Sequence, residues 1–426
     1  MKTYIKRKTT ISEKDNLIIV CNKKTDLKSF SLSKQEEKFV KSELKNKKEI
    51  IDKIYDKDTN LEEILNMYEK LNNIDKNNEI WGIRNKLFAM NIDFNVYVIT
   101  NNFLINKDMI GDFNKYINKH GYPDLLLVTD MLNLPVFVSF AHVNKLPIIS
   151  FFHENQLTYP WSPTDRDVIE NRNKHYGFIN FTSALSADYV FFNSQYHLDS
   201  FTSEATLLLK HFPDYNEIKS VQIIREKSRV LHLGLDLKRF DAHQSLYDGP
   251  PLILWNHRWE YDKNPELFFE TLFRLNEDGI DFRVAVLGEN FKTTPSIFDT
   301  AQDRLKNNII YFGYCESFSE YAQWLWKADI IPVTNIQDFF GISIMEALYC
   351  NTYPLLPDRL AYPELLPEKF HKDHIYRDKT DLFDKLKECI LNIDDKRNNQ
   401  FSQIAQPFDW NTMAPIYDNL FRDLIS

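Results

Sequence analysis

The chain has 426 residues, of which 43% are apolar and 14% aromatic, so it is long enough for two or three domains with sizeable cores. A formal net charge of −9 excludes the broad cationic surface of a dedicated nucleic-acid-binding protein, although local basic patches are compatible with such a partner. The four cysteines lie far apart without a C-x-x-C pair, so neither a disulfide framework nor a zinc knuckle is predicted. No signal-peptide core is present, and no apolar run reaches about 18 residues. We expect a soluble, cytoplasmic protein without a membrane partner.

The first 80 residues differ in composition from the rest of the chain. They are rich in lysine, asparagine and isoleucine, and all 17 prolines lie from Pro123 onward. A strand is predicted at residues 16–21, and Ser33 with Glu36 forms a capping box ahead of a lysine-rich helix. We expect residues 1–80 to be an atypical segment that carries no recognisable chemistry.

Beyond residue 93 the chain alternates short β-branched runs with amphipathic stretches, and the pattern restarts after Asp248. The predicted strands are DFNVYVIT, DLLLVTD, PIISFFH, ADYVFFNS and SRVLHLG, followed by LILWNHR, FRVAVLGE, NIIYFGY, ADIIPVT and NTYPLLP. Strands that are apolar on both faces and alternate with helices indicate a parallel sheet covered by helices. The pattern predicts an α/β protein with two doubly wound, Rossmann-like domains at 81–245 and 246–395, and a segment 396–426 whose last helix returns to the first domain.

A first polar cluster ends the strand PIISFF, where His153, Glu154, Asn155 and Gln156 follow one another. Ligands of open parallel sheets bind beyond the carboxyl ends of the strands. The cluster is therefore a candidate site, and the alternative is a histidine that only stabilises the end of the strand.

A second cluster follows the strand LILWN, where His257, Arg258 and Lys263 precede a helix that begins at Asn264-Pro265. An arginine offers a bidentate fork and a lysine a point charge, which together suit a diphosphate. The alternative is a solvated charged loop.

A third cluster is DFFGISIME, in which Asp338 lies on a loop and Glu346 on the helix that follows it. Gly341 allows close backbone approach at the helix N-terminus, where the amides of Ile342 and its neighbours favour anions. We interpret the carboxylates as acceptors for sugar hydroxyls, because neither has metal-ligand spacing. Carboxylates at a helix start also occur by chance.

Several blocks of the sequence strongly resemble the tRNA-queuosine α-mannosyltransferase family, a branch of the retaining, family-4-like glycosyltransferases. The resemblance covers residues 120–390, and its blocks are FFHENQLTYP, RD at 166–167, YGFINFTSALSADYVFFNSQYHLDSF, HRWEYDKNPELFF, VLGENF and DFFGISIMEALYCNTYPLLPDRLAYPELLP. It implies the GT-B fold, in which an acceptor domain and a nucleotide-sugar donor domain face a cleft. The implied reaction transfers mannose from GDP-mannose to queuosine in tRNA, with no cofactor or metal.

The resemblance also implies a role for each site residue. Arg258 and Lys263 would bind the diphosphate and stabilise the leaving group, and Glu346 would bind the ribose. The sugar and phosphate would contact Asp338 and the amides of Gly341 and Ile342. His153 would line the donor sugar from the N-terminal domain, and Glu154, Asn155 and Gln156 would hold their loop and line the acceptor side.

Two features depart from the family pattern. The first carboxylate of the E-x7-E-type loop is Asp338, one methylene shorter than glutamate. The chain also has no adjacent glycine pair, whereas such enzymes open with a glycine-rich turn. Two alternatives therefore stay open: a catalytically impaired GT-B scaffold that binds nucleotide or RNA, and a GT-B transferase with another donor and acceptor.

Overall fold

The computed structural model describes residues 4–5, 17–22, 96–100, 107–141, 143, 146–160, 173–288, 294–397 and 400–425. The predicted capping box and lysine-rich helix after Ser33 lie outside these residues, as do Arg166, Asp167 and Glu289.

The first sheet has seven strands whose spatial order follows the chain. The strands are β1 Tyr4–Ile5, β2 Leu17–Asn22, β3 Val96–Thr100, β4 Leu125–Thr129, β5 Ile148–Phe152, β6 Tyr189–Phe192 and β7 Ser228–Val230. β1 and β2 pair antiparallel, as do β2 and β3, whereas β3, β4 and β5 run parallel. Every residue of β4 and β5 is buried, which explains why both strands are apolar without alternation.

Five helices in the described part of the chain accompany this sheet. They are α1 Lys107–His120, α2 Leu134–Ala141, α3 Asn173–Ser186, α4 Gln195–Lys210 and α5 Lys219–Glu226. The N-terminus of α4 is capped from a distant part of the chain, because Glu364 accepts the backbone amides of Gln195 and Tyr196 at 2.8 Å each. A carboxylate is favourable there since the helix dipole is positive at its N-terminus.

The second sheet has six strands in the order β10-β9-β8-β11-β12-β13, and all neighbouring strands pair in parallel. The strands are β8 Leu252–Asn256, β9 Arg283–Leu287, β10 Ile309–Gly313, β11 Ile330–Pro332, β12 Tyr353–Pro357 and β13 Ile375–Tyr376. This is the doubly wound order of a Rossmann fold, which reverses direction between its first and fourth strands, here β8 and β11. All ten strands predicted after residue 93 are confirmed, whereas the two-residue β13 was too short to be recognised.

The remaining helices follow the strands of the second sheet. They are α6 Pro265–Glu277, α7 Ile297–Arg304, α8 Phe318–Lys327, α9 Ile342–Tyr349, α10 Tyr362–Leu365, α11 His371–His374, α12 Lys379–Leu391, α13 Ile393–Lys396, α14 Ser402–Ala405 and α15 Trp410–Ile425. Short 3₁₀ turns cover Lys238–His243, Tyr261–Lys263, Glu368–Phe370 and Gln406–Phe408. In the core, Trp255 on β8 packs against the rings of Phe268 and Phe269 on α6.

Contacts divide the chain into two compact units. One comprises Met1–His153, Phe178–Val190 and Ala414–Ser426, and the other Glu154–Gly177 and Phe191–Met413. Most of α15 belongs to the first unit, where Tyr417 contacts Phe151 with ring centroids 6.4 Å apart. The domain boundaries predicted after residues 80, 245 and 395 stay predictions.

Within the described part of the chain, no helix has both the length and the apolarity needed to cross a bilayer.

Candidate functional site

The second and third polar clusters meet at the carboxyl edge of the second sheet. Thr334, which follows β11, donates its hydroxyl to the carbonyl oxygens of Lys263 and Asn264, at 2.8 and 3.0 Å. Asn256, at the end of β8, donates its amide to the carbonyl of Ser343 at 2.8 Å. The loops after β8 and β11 are thus joined where the strand order reverses, which is the usual ligand site of such sheets.

The two cations of the second cluster differ in environment. The Arg258 side chain is 52% exposed and lies 3.1 Å from the carboxylate of Glu260. By contrast, Lys263 is only 15% exposed and pairs at 2.9 Å with Asp262, whose side chain is 4% exposed. Lys263 also donates to the carbonyl of Gln337 at 3.3 Å. Arg258 is therefore accessible to an anion, whereas Lys263 also ties the two loops together.

The turn before α6 forms as the sequence predicts. Asn264 adopts a left-handed conformation with φ 51°, and its side chain accepts the amide of Leu267 at 3.4 Å. Pro265 stands in the first turn of α6, where the missing amide hydrogen costs nothing.

Gly341 is the N-cap of α9, at φ 89°. A Cβ at this position would lie 3.2 to 3.4 Å from Ile344, Leu365 and Tyr362, so both the backbone conformation and the packing favour glycine. The first amides of a helix lack intrahelical acceptors and attract anions. The structure therefore places the amide end of α9, with Ile342 in its first turn, at the same edge as Arg258 and Lys263.

Asp338 helps to shape the loop that enters α9. Its Oδ1 accepts the amide of Phe340 at 3.2 Å, and its Oδ2 accepts the hydroxyl of Tyr362 at 3.1 Å. A carboxylate has about four lone-pair sites, so these bonds leave capacity for a ligand. Its predicted contact with a sugar stays a prediction.

Glu346 lies on α9 and is buried, with 8% of the residue exposed. Its Oε2 accepts the hydroxyl of Tyr321 on α8 at 2.7 Å, and Oε1 lies 3.6 Å from the guanidinium of Arg239. Burial raises the pKa of the Glu346 carboxyl, while Arg239 and then Tyr321 oppose that rise. Sequence reasoning found Glu346 but missed both partners, because neither stands in a motif.

His257 is buried at the end of β8, and its Nδ1 lies 3.1 Å from the hydroxyl oxygen of Ser343. Burial, with a smaller contribution from the charge of Lys263, lowers its pKa to about 3. The imidazole is therefore neutral at physiological pH. It acts as a hydrogen-bonding group and does not add positive charge to the edge.

The first polar cluster lies at the end of β5 in the first sheet. Asp130, which follows the neighbouring strand β4 and is 1% exposed, accepts the backbone amide of His153 through Oδ1 at 3.0 Å. The same oxygen lies 3.1 Å from the Nδ1 atom of His153. Asp130 thus fixes the ring of His153. The sequence contained a signal for it, because Asp130 closes the predicted strand DLLLVTD.

The other three polar residues of that cluster have separate surroundings. Asn155 is completely buried, and its Oδ1 accepts the amides of Leu157 and Thr158 at 3.1 and 3.0 Å. Gln156 donates to Glu154 at 2.8 Å. Asn155 therefore builds the turn that follows β5. The acceptor-side role of all three residues stays a prediction.

No cluster of three or more His, Cys, Asp or Glu side chains within the described ranges is arranged to hold a metal ion.

Two family models match consecutive parts of the chain. The tRNA-queuosine α-mannosyltransferase N-terminal model matches residues 110–235, and the glycosyl transferases group 1 model matches residues 238–406. A tRNA-queuosine α-mannosyltransferase of Drosophila melanogaster is 36% identical over 248 residues, which are 56% of this chain and 63% of the relative. The match thus spans less than two thirds of that relative's length.

Solved structures establish the fold. Anabaena HepE in complex with UDP superposes with a TM-score of 0.54 at 14% identity, covering 74% of this chain and 82% of that one. Sucrose-phosphate synthase from Thermosynechococcus elongatus gives a TM-score of 0.56 at 15% identity, covering 75% and 80% of the two chains. The predicted GT-B fold class is confirmed. The chain is thus similar to the tRNA-queuosine α-mannosyltransferases over residues 110–235 and to the group 1 glycosyl transferases over residues 238–406.

Proposed function

We propose that the protein transfers mannose from GDP-mannose to queuosine in tRNA, with retention of the anomeric configuration and without a bound metal ion. The observation that carries the proposal is the family match over residues 110–235, because this model describes the N-terminal part of tRNA-queuosine α-mannosyltransferases. The charged loops at the switch point of the second sheet support a nucleotide-sugar donor. A tRNA acceptor implies a cytoplasmic enzyme, and the net charge of −9 implies that tRNA binds to a local surface.

The proposed donor site is built from the two joined loops. Arg258 and Lys263 bind the diphosphate at the amide end of α9, which begins at Ile342. Glu346 accepts hydrogen bonds from the ribose. Asp338 and the amides of Gly341 and Ile342 contact the sugar and the phosphate.

The chemical step separates mannose from GDP, so negative charge develops on the leaving diphosphate. Arg258 and Lys263 stabilise that charge, and one such electrostatic contact contributes about 3 kcal/mol in enzymes of known mechanism. We propose attack by the queuosine hydroxyl on the face from which GDP departs, because no carboxylate among the described residues stands out as a nucleophile. The family resemblance assigns His153 to the donor sugar, and Asp130 would set the orientation of its ring.

Isothermal titration tests the donor. We expect GDP and GDP-mannose to bind with similar affinity and UDP-glucose to bind more weakly. Binding of UDP-glucose in preference to GDP-mannose would reject this donor in favour of another GT-B reaction. Absence of heat with every nucleotide, from a protein with a folded circular-dichroism spectrum, would reject a nucleotide-sugar site.

A transfer assay tests the acceptor. Radiolabelled GDP-mannose should label tRNA that contains queuosine, and the same tRNA lacking queuosine should stay unlabelled. Label should persist in the presence of EDTA if no metal ion takes part. Tight GDP-mannose binding without transfer to either tRNA would favour the impaired scaffold.

A further inference from the structure

The carboxylate of Glu346 is held by two side chains that lie outside the recognisable motifs. Tyr321 donates its hydroxyl to Oε2 at 2.7 Å. The Nη2 atom of Arg239, on the 3₁₀ turn Lys238–His243, lies 3.6 Å from Oε1. No described residue donates a hydrogen bond to Oε1 itself. One carboxylate oxygen is therefore anchored, and the other faces a positive charge while its lone pairs stay available.

Arg239 is fixed mainly by stacking. Its guanidinium carbon lies 3.8 Å from the ring centroid of Phe318, a distance typical of a cation–π contact. Its side chain is 26% exposed, and its buried Nε has no acceptor among the described residues. Because the ring sets its position, the guanidinium supplies charge to Glu346 without the bidentate pairing that would occupy both carboxylate oxygens.

The ionisation state of Glu346 depends on this arrangement. Burial raises the pKa of its carboxyl, the charge of Arg239 and the hydrogen bond from Tyr321 lower it, and Asp236 raises it further. The thiol of Cys350, the residue that caps the C-terminus of α9, also lies within the influence of the Glu346 charge. An ionised carboxylate accepts hydrogen bonds at both oxygens, whereas the protonated form turns one of them into a donor. Loss of Arg239 therefore favours the form that binds hydroxyl groups less well.

We propose that Arg239 and Tyr321 are positioning residues of the nucleotide site, which keep the Glu346 carboxylate ionised and hold it in the orientation that accepts the ribose hydroxyls. This inference rests on the proposed function, because it takes the ribose of a nucleoside diphosphate as the partner of Glu346. Neither residue touches the reacting atoms.

The test measures GDP affinity by titration calorimetry as a function of pH in wild type, Arg239→Met and Tyr321→Phe. A lost hydrogen bond to a charged group is worth about tenfold or more in affinity. The GDP affinity of Arg239→Met should therefore fall by about tenfold or more as the pH is lowered and Glu346 takes up its proton, and the affinity of wild type should begin to fall only at a lower pH. Tyr321→Phe should move in the same direction and bind more weakly at every pH, since it also loses the anchor of Oε2.

Two matched control variants distinguish this positioning role from the general effect of removing an arginine or a tyrosine hydroxyl. Arg304 also stacks at 3.8 Å, on Phe273, and pairs with Glu277 at 2.6 Å. Tyr349 also donates to a carboxylate, that of Asp241, at 2.9 Å. Arg304→Met and Tyr349→Phe should keep the wild-type pH profile. In addition, ¹³C-carboxyl spectra of glutamate-labelled protein without ligand, with Glu346→Gln for assignment, should show Glu346 titrating at higher pH in Arg239→Met.

Three outcomes would overturn the inference. An unchanged titration of Glu346 in Arg239→Met would show that Arg239 does not control its charge. A pH profile of GDP affinity parallel to that of wild type in both variants would show that neither side chain acts through ionisation of Glu346. An Arg239→Met, Glu346→Gln double variant that keeps the pH dependence of Arg239→Met would show that another group is responsible. Failure of the proposed function looks different, because wild type itself would then bind no GDP at any pH.

Discussion

Asp130 and His153 lie on neighbouring parallel strands of the first sheet, and one carboxylate oxygen of Asp130 contacts both the backbone amide and the Nδ1 atom of His153. A carboxylate at Nδ1 favours the tautomer that carries its hydrogen there. The Nε2 atom then becomes the acceptor of the ring. The pair therefore defines both the orientation and the hydrogen-bonding character of His153.

We expect His153→Ala to lower the mannosyl transfer rate much more than the affinity for GDP, since GDP lacks the sugar that His153 is proposed to contact. Asp130→Ala should produce the same signature, together with a lower melting temperature, because it leaves the partly buried amide of His153 without its acceptor at a cost of about 1 to 3 kcal/mol. Melting temperature, GDP affinity and transfer rate are measured on each variant. A lower melting temperature with unchanged transfer per folded molecule in His153→Ala would remove His153 from the site.

Arg258→Ala and Lys263→Met should both weaken GDP binding, by about tenfold or more for each lost charge-assisted contact. Their effects on folding should differ. Arg258 is half-exposed, so its removal should leave the denaturation midpoint unchanged. Loss of Lys263 leaves the buried Asp262 carboxylate without its cation, which lowers the free energy of unfolding by about 3 kcal/mol.

Lys387 provides a control for Lys263, because it pairs with Asp278 at 2.7 Å and both side chains are about one third or more exposed, at 35% and 44%. Lys387→Met should leave both the midpoint and GDP binding at wild-type values. If Arg258→Ala and Lys263→Met both keep the GDP affinity of wild type, the charges of this loop are only solvated and take no part in GDP binding.

Gly288→Ala should disrupt the edge of the second sheet. Gly288 has φ 134°, and a Cβ there would lie 2.1 Å from the carbonyl oxygen of His257. We expect a loss of about 3 kcal/mol or more in unfolding free energy, from strain and from the clash. Gly279→Ala is the matched control, because φ is 72° but no atom lies within 4 Å of the added Cβ. Strain alone should cost that variant about 1 kcal/mol. Urea denaturation compares the two, and equal losses would contradict the packing argument.

Glu346→Gln should change the pH dependence of stability in the absence of ligand. The pKa of Glu346 is raised in the folded protein, so the folded state holds this proton to higher pH than the unfolded chain does. The contribution of Glu346 to stability is therefore greatest at low pH and declines as the pH rises from about 4, where an unfolded glutamate titrates. The variant should gain in stability relative to wild type over that rise, even though it binds GDP more weakly. A stability difference that is constant across pH would contradict this account.

The sequence by itself determined the strands and the positions of the charged clusters. Runs such as LILWNHR and DLLLVTD are apolar over one strand length and end in polar residues, and Asn264-Pro265 carries its own helix-start signal. Such features are local, because burial on both faces and helix capping act within a few residues. The sequence segments around His153, Arg258 and Glu346 that resemble the family were also recognisable from the residues alone.

Only the tertiary structure decided which side chains act on one another. Asp130 meets His153 because β4 and β5 pair in parallel, and the loop of Lys263 meets that of Thr334 because β8 lies beside β11. Arg239 and Tyr321 reach Glu346 from a 3₁₀ turn and a separate helix, and neither residue carries a sequence signal for this contact. Strand order and helix packing depend on the burial of whole apolar faces against one another. Contacts of this kind, between residues distant in the chain, follow from the fold and leave no local pattern in the sequence.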